Sequence, residues 1–507
     1  MAAAADIPAT GPALSAPKLQ VASRGLLTAS IMVATVMQVL DTTIANVALP
    51  HMAASLNATQ EEITWVLTSY IVASAIATPL TGWAADTMGR RRVFTTCIAG
   101  FVFTSVLCGL ATSLPEMVLF RIFQGVFGAA LIPLAQAVLL DINPREKIGQ
   151  AMAIYGAGIM VGPIIGPTLG GYLTEMFDWR YVFFINLPVG IIAFLGVAAF
   201  MPREETRRRR FDTMGFAFLA IAVGSLQMML DRGQSVGWFD SVEIWIYVGL
   251  MISGLWAFIV HCWGADEPFV DLAMFRDRNF VMGLIFIFII GMTLFSGLAL
   301  LPPLLQKLMG YPVIETGLVM APRGVGTMVS MILVGRLVAR FDARALVVFG
   351  LAMTAGSLWL MTGFESGMDS HLIILSGVMQ GFGLGFVFVP LSTLTFATIA
   401  PHLRGDATSM FSLVRNMGSG AGISLVTAVL VRMTTVNHEE IASTLTAQSS
   451  AVRDGLPQLL QGSPLYAYVA DTLVNQQAAM IGYIDNFFLM MILTVSVVPI
   501  VLLLRKP

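Results

Sequence analysis

The sequence predicts an all-α polytopic membrane protein of about fourteen transmembrane helices, built as two pseudo-symmetric six-helix bundles with two further helices inserted between them. Three observations predict it. Hydrophobic residues make up 57% of the 507 and charged residues only 11%, with a mean hydropathy of +0.81, a balance suited to a bilayer and not to water. Apolar windows of about 20 residues, the length that crosses a hydrocarbon core, recur along the chain. The end of the second window is echoed at the end of the tenth.

Residues 1–25 are rich in Ala, Pro and Ser and lack the charged start and apolar run of a cleavable signal, so they read as a disordered cytoplasmic tail. The windows then fall near 26–49, 63–83, 93–113, 116–140, 150–174, 180–201, 213–231, 243–263, 279–302, 315–338, 345–363, 371–395, 406–434 and 479–503. An even number of spans puts both termini on one side, and cations say which side. Lys18, Arg24, Arg505 and Lys506 share theirs with Arg90, Arg91, Arg92, Arg145, Lys147, Arg203, Arg207, Arg208, Arg209, Arg210, Arg276, Arg278, Arg336, Arg340, Arg344 and Arg404. The other side keeps only Arg180, Arg232, Lys307, Arg432 and Arg453, so both termini are placed in the cytoplasm.

The basic run at 202–212 reads as a topology determinant and linker. It divides the chain into an N-terminal bundle at 26–201, a linker with two inserted helices at 202–278, and a C-terminal bundle at 279–507. A polar periplasmic loop at about 435–478 joins the last two helices. The internal echo runs from Gly82 through Asp86, Gly89, Arg90 and Arg91 in the first half, and from Gly335 through Arg336, Arg340 and Arg344 in the second. Ala339 stands where the repeat would place the counterpart of Asp86. Two related halves in parallel orientation follow from it.

Ionisable side chains inside a bilayer are costly, so each is a site candidate until a partner explains it. Asp41 lies in the first window, with Gln38, Thr42 and Asn46 on nearby turns as polar groups for a cavity. It is either a carboxylate that takes a proton on one side and releases it on the other, or a charge neutralised for good by an arginine. Arg121 in the fourth window, with Gln124 three residues on and so on the same face, either tunes that carboxylate or anchors the helix. Arg323, Asp406 and Arg415 form a second tier of proton or substrate groups. Gly82, Asp86, Gly89, Arg90 and Arg91 make a short inside loop that either latches helix ends as a gate or is simply solvated.

In the fifth window Gly158, Gly162, Gly166 and Gly170 recur every four residues and bare one helix face, while Pro163 and Pro167 loosen the same stretch. A bare, loosened face suits either tight packing or a moving joint. Methionine and phenylalanine, 31 and 32 residues, pack against lipid and neighbouring helices, and some suit a cavity for varied apolar ligands.

Other chemistries find little support. The net charge of −2 does not recommend a nucleic-acid partner. The chain shows no phosphate-binding loop, no paired metal spacing among His51, His261, His371, His402 and His438, and no nucleophile elbow. Cys97, Cys108 and Cys262 read as small core residues. Neither an enzyme, a cofactor nor a metal is expected.

These motifs resemble those of the major facilitator superfamily, in particular its fourteen-helix drug:proton antiporters. Asp86-x-x-Gly89-Arg90-Arg91 after Gly82 is similar to the superfamily's loop motif, and Arg121-x-x-Gln124-Gly125 to its helix-four motif. The glycine–proline face at 156–173 resembles the helix-five motif of exporters, and Leu40-Asp41-x-Thr43-x-x-Asn46-x-Ala48-Leu49-Pro50 the helix-one signature of the fourteen-helix group. The stretches QVLDTTIANVALP, PLTGW, FFINLPVG, GSLQMMLDRG and VDLAMFRDRNF further resemble the EmrB-type multidrug exporters of Gram-negative inner membranes. The resemblance implies a major facilitator fold and export of amphipathic toxic compounds with the proton as coupling ion. It also implies a periplasmic membrane-fusion adaptor of EmrA type and an outer-membrane channel of TolC type as partners. Two rival readings remain at this stage, an importer of a small solute and a non-transporting sensor on a transporter scaffold.

Overall fold

The computed structural model describes residues 21–501 except 22, 60, 204, 205, 207, 208 and 445–463. Among the described residues the long elements are all helices and no strand occurs. Thirteen helices among these residues are long and apolar enough to cross a membrane, and a pair bent by 56° makes a fourteenth. In chain order they are α1 (Arg24–Ser55), α2 (Glu62–Ala77 with Leu80–Met88), α3 (Arg90–Leu110), α4 (Leu114–Ile142), α5 (Ile148–Met176), α6 (Tyr181–Phe200) and α7 (Thr213–Arg232). There follow α8 (Val242–Gly264), α9 (Arg278–Leu308), α10 (Ile314–Leu337), α11 (Ala343–Met361), α12 (Ser370–Ala397), α13 (Pro401–Ser443) and α14 (Tyr468–Val501). Each predicted window holds one of them.

Local chemistry sets their ends. The break in α2 falls at Pro79, which lacks the amide hydrogen that a continuous helix would use. Gly89 then turns the chain into α3 at φ +83, a conformation other residues rarely adopt. Aspartates cap α7, α9, α11 and α12 through Asp212, Asp277, Asp342 and Asp369. Helix α1 begins at Arg24, where Ser23 caps it, slightly inside the predicted tail. The rest of that tail, residue 21 aside, lies outside the described residues, as do Arg207 and Arg208 of the basic run and Arg505 and Lys506.

One expectation needs correction. The connection predicted at about 435–478 is helical at both described ends, because α13 continues to Ser443 and α14 is already helical at Tyr468. Polarity marks where the chain leaves the apolar layer, and no Gly or Pro between Gly422 and Gly455 stops the helix there. His438 and Asp471, 3.1 Å apart, join the two extensions. Residues 445–463 of the predicted loop lie outside the described residues.

The packing resolves into two groups. In the first, α1 packs on α5 and α6, α2 on α4, and α3 on α4 and α6. In the second, α12 gathers α9, α10 and α11, while α13 packs on α9 and α14. The groups meet along α5 with α10, and where α2 and α4 touch α13. Helix α7 lies over the α2–α13 seam: Gly224 faces Ile76 of α2, and Ser424 of α13 donates to the Leu230 carbonyl at 2.7 Å. Helix α8 packs on α7 and leaves Trp245, Trp256 and Trp263 exposed, as a lipid-facing helix does.

Candidate functional site

Asp41 and Arg121 meet in the core of the first group. Their exposures are 2% and 0%. Arg121 Nη1 donates to Asp41 Oδ2 at 2.8 Å and to Gln124 Oε1 at 2.8 Å, while its Nε donates to the Val66 carbonyl at 3.0 Å. The other carboxylate oxygen, Oδ1, accepts from Gln124 Nε2 at 3.0 Å and from Asn186 Nδ2 at 2.7 Å. The guanidinium lies 4.4 Å from the centroid of the Tyr70 ring, a cation–π contact. One carboxylate of α1 is thereby tied to α4 and α6, and its partner cation to α2. Neutralising the acid would remove the charge that Arg121 answers and loosen four helices at one point.

Asn186 is a partner that the sequence reading did not single out. It stands in a stretch noticed only for its likeness to other sequences, yet a polar amide inside the apolar sixth window was a usable signal. It also donates to Ser105 of α3 at 2.9 Å. Among the expected cavity residues, Gln38 is buried with Oε1 unbonded, Thr42 donates to its own helix at the Val39 carbonyl, and Asn46 is exposed.

The glycine row of α5 packs against α1 in the same group. Side-chain carbons built on Gly158, Gly162, Gly166 and Gly170 would meet Met32, Val39 with Leu40, Thr43 and Ile44, respectively. The row therefore brackets Asp41, and α5 stays helical through Pro163 and Pro167. Toward α10 the same helix turns another face: Gly149, Ala153, Gly156, Ile164 and Thr168 pack on Val338, Gly335, Met331, Gly324 and Gly317. The contact between the groups thus runs along that second face, and the row at 158–170 packs α5 closely on α1.

At the basic end the predicted loop finds other partners than its own residues. Arg90 pairs with Asp141 of α4, and Arg91 donates to the Ala198 carbonyl of α6. Asp141 also takes Arg404 of α13 at 2.6 Å, which joins the two groups through one buried acid. Asp86 lies 3.8 Å from Arg209 of the basic run, whose Nη1 is 2.8 Å from Asp406. The same guanidinium donates to the Pro268 and Phe269 carbonyls at 3.2 and 2.7 Å, and the Arg209 carbonyl accepts from Trp83 Nε1 at 3.2 Å. Gly82 gives Asp406 room, since a side-chain carbon there would collide with it. Asp406, expected with the intramembrane groups, thus belongs to this seam because it sits at the very start of α13. Asp141 was overlooked, and Arg209 and Arg404 were read only as topology charges. An acid closing the apolar run AVLLD was the available signal for Asp141.

The other two second-tier residues are buried apart. Arg323 of α10 is 6% exposed and reaches the Leu294 carbonyl of α9 at 3.4 Å through Nη2. Arg415 of α13 is 9% exposed, and its Nη2 is 3.5 Å from Asn416 Oδ1. Neither has a carboxylate within ion-pair distance among the described residues. Asp212, outside the spans, ties the ends of the inserted pair together. Burial raises its pKa, but donation from Gly215, His261 and Phe269 outweighs that and holds the carboxyl below its usual value.

Comparison with known proteins agrees with this architecture. The family model described as Major Facilitator Superfamily matches residues 31–423. The multidrug export protein EmrB of Escherichia coli (strain K12) is 37% identical over 423 residues, 83% of this chain and 83% of that protein. The fatty acid resistance protein FarB of Neisseria gonorrhoeae is 36% identical over 503 residues, 97% of this chain and 98% of that protein. Among solved structures, the human organic anion transporter MFSD10 (TETRAN) is similar with a TM-score of 0.59 and 16% identity, covering 93% of this chain and 99% of that one. The proton:xylose symporter XylE bound to 6-bromo-6-deoxy-D-glucose gives a TM-score of 0.58 and 14% identity, covering 94% and 96%. At such identities the two structures speak to fold alone.

Proposed function

Because this chain belongs to the major facilitator superfamily, we propose that it exports amphipathic toxic compounds from the cytoplasm or inner leaflet in exchange for protons. The observation that carries the reading is the buried Asp41, whose two oxygens answer Arg121, Gln124 and Asn186 at once. The similar proteins named for multidrug export and fatty acid resistance supply the substrate class.

In the proposed cycle Asp41 gains a proton on the outer side as substrate leaves and loses it on the inner side as substrate binds. Protonation releases Arg121 from its counter-charge and lets α1 shift on the glycine row of α5. Because α5 is also the contact to α10, that shift reaches the other group. Asp141 with Arg90 and Arg404, and Asp406 with Arg209 and Asp86, hold the basic end closed until then. The moving halves are taken as 26–201 and 279–507, with the inserted pair riding on their seam. The basic end and both termini are assigned to the cytoplasmic side of a bacterial inner membrane. A membrane-fusion adaptor and an outer-membrane channel are proposed partners, carried by the likeness to such exporters. The proton is the one coupling ion proposed, and no catalytic step is.

The test is efflux of a fluorescent lipophilic compound from proteoliposomes under an imposed proton gradient, native chain against Asp41→Asn. Gradient-driven efflux that disappears in the variant is expected. Efflux that stays coupled without Asp41 would refute its role. Uptake that falls when the gradient is dissipated would favour the importer, and binding without flux the sensor.

A further inference from the structure

The two groups of helices treat their buried arginines differently, and the difference has chemical content. In the first group α1 supplies Asp41 to Arg121. In the second the opening helix is α9, and where it passes Arg323 it offers the Leu294 carbonyl and Gly297 in place of an acid. Among the described residues Nη1 of Arg323 has no hydrogen-bond partner, and the side-chain amide of Gln380, which is 4% exposed, stands beside the guanidinium at Gly297. A cation taken out of water without a counter-charge costs several kcal/mol even after the protein relaxes, so a fold keeps one where an anion offsets the cost.

We propose that Arg323, with Gln380 beside it, binds the acidic head of an amphipathic substrate, a carboxylate or comparable organic anion. The proposal rests on the exporter reading and names the chemical class for one of its binding sites. The guanidinium presents paired N–H donors that match the two oxygens of a carboxylate. Gln380 supplies a further amide donor, its Nε2 standing near Gly297 as the guanidinium does. A side-chain carbon on Gly297 would stand 3.3 Å from Nη2, so α9 comes up to the head-binding atoms with no side chain between. Met320, three residues before Arg323 and thus on its helix face, packs against the apolar cluster to which Leu300 and Leu301 of α9 belong and provides an adaptable apolar wall for the tail. A lipophilic cation would meet like charge at Arg323 and be disfavoured there.

Equilibrium binding to the purified full chain in detergent, with no gradient present, tests this. The probes are an environment-sensitive dansyl undecanoate and its uncharged methyl ester. The native chain is expected to bind the acid, Arg323→Gln to weaken it at least tenfold, and Arg323→Lys to recover part of the loss. The ester is expected to bind native chain and Arg323→Gln alike. Undiminished acid binding by Arg323→Gln, no acid binding by the native chain, or equal losses for acid and ester would each overturn the site. An unchanged melting temperature and elution profile confirm that a variant is folded, and Gln380→Leu, expected to weaken the acid alone, serves if Arg323→Gln is not. Failure of the exporter reading looks different: the acid binds through Arg323, yet no gradient drives its efflux.

Discussion

Asp141 at the basic end of α4 receives Arg404 of α13 at 2.6 Å while holding Arg90 of α3, so a single buried carboxylate ties a helix of one group to a helix of the other. It is 0% exposed, and its loss strands two cations at once.

Asp141→Asn is therefore expected to open the basic end. Removing one member of a buried ion pair costs about 3–5 kcal/mol, and here the remaining members face each other as like charges. Alkylation of a cysteine introduced in α13 at the basic end should accelerate at least tenfold. Arg404→Gln, which leaves Asp141 paired with Arg90, should have a smaller effect. The reverse order would contradict the geometry.

For Asp41 and Arg121 the expectation is non-additive. Asp41→Asn or Arg121→Gln alone leaves an uncompensated buried charge, at about 3–5 kcal/mol, whereas the double variant leaves none. Thermal unfolding in detergent should rank the double variant above either single one, even though none of the three exports. A double variant less stable than both would mean that the pair is not the dominant interaction there.

The glycine row makes a graded prediction. At Gly162 a side-chain carbon would meet the Leu40 backbone nitrogen at 3.0 Å, which cannot yield without moving α1. At Gly158 it meets only the flexible end of Met32. Gly162→Ala should cost about 1–3 kcal/mol as overpacking does and slow efflux, while Gly158→Ala should be nearly silent. Melting temperatures and efflux rates on the two variants check this.

Gly82→Ala tests the second seam. The added methyl displaces Asp406 from Arg209, so it should reproduce the phenotype of Arg209→Gln, and combining the two should add little. Fully additive effects on alkylation of the basic end would separate the glycine from the ion pair.

Much of this was legible in the chain itself. Apolar length and cation placement are local properties, and they marked the spans because a bilayer sets the same requirement for every helix. Asp41, Arg121 and Gln124 stood out for a similar reason, since polar groups inside apolar windows need partners and these three supply one another. Asn186 followed the same rule and was passed over within a familiar-looking stretch.

What the sequence by itself determined, then, is how many helices there are, where they run and that Asp41 and Arg121 are buried charges. Tertiary structure alone decided who meets whom at the basic end. Asp86, Arg90 and Arg91 are neighbours along the chain, yet they turn to Arg209, Asp141 and Ala198 on other elements, because a charge at a helix end takes the counter-charge that packing brings nearest. It also decided that the row at Gly158 faces α1 and that Arg323 meets no acid among the described residues. A helix period shows that residues share a face, but which neighbour the face meets depends on the packing of all fourteen helices together.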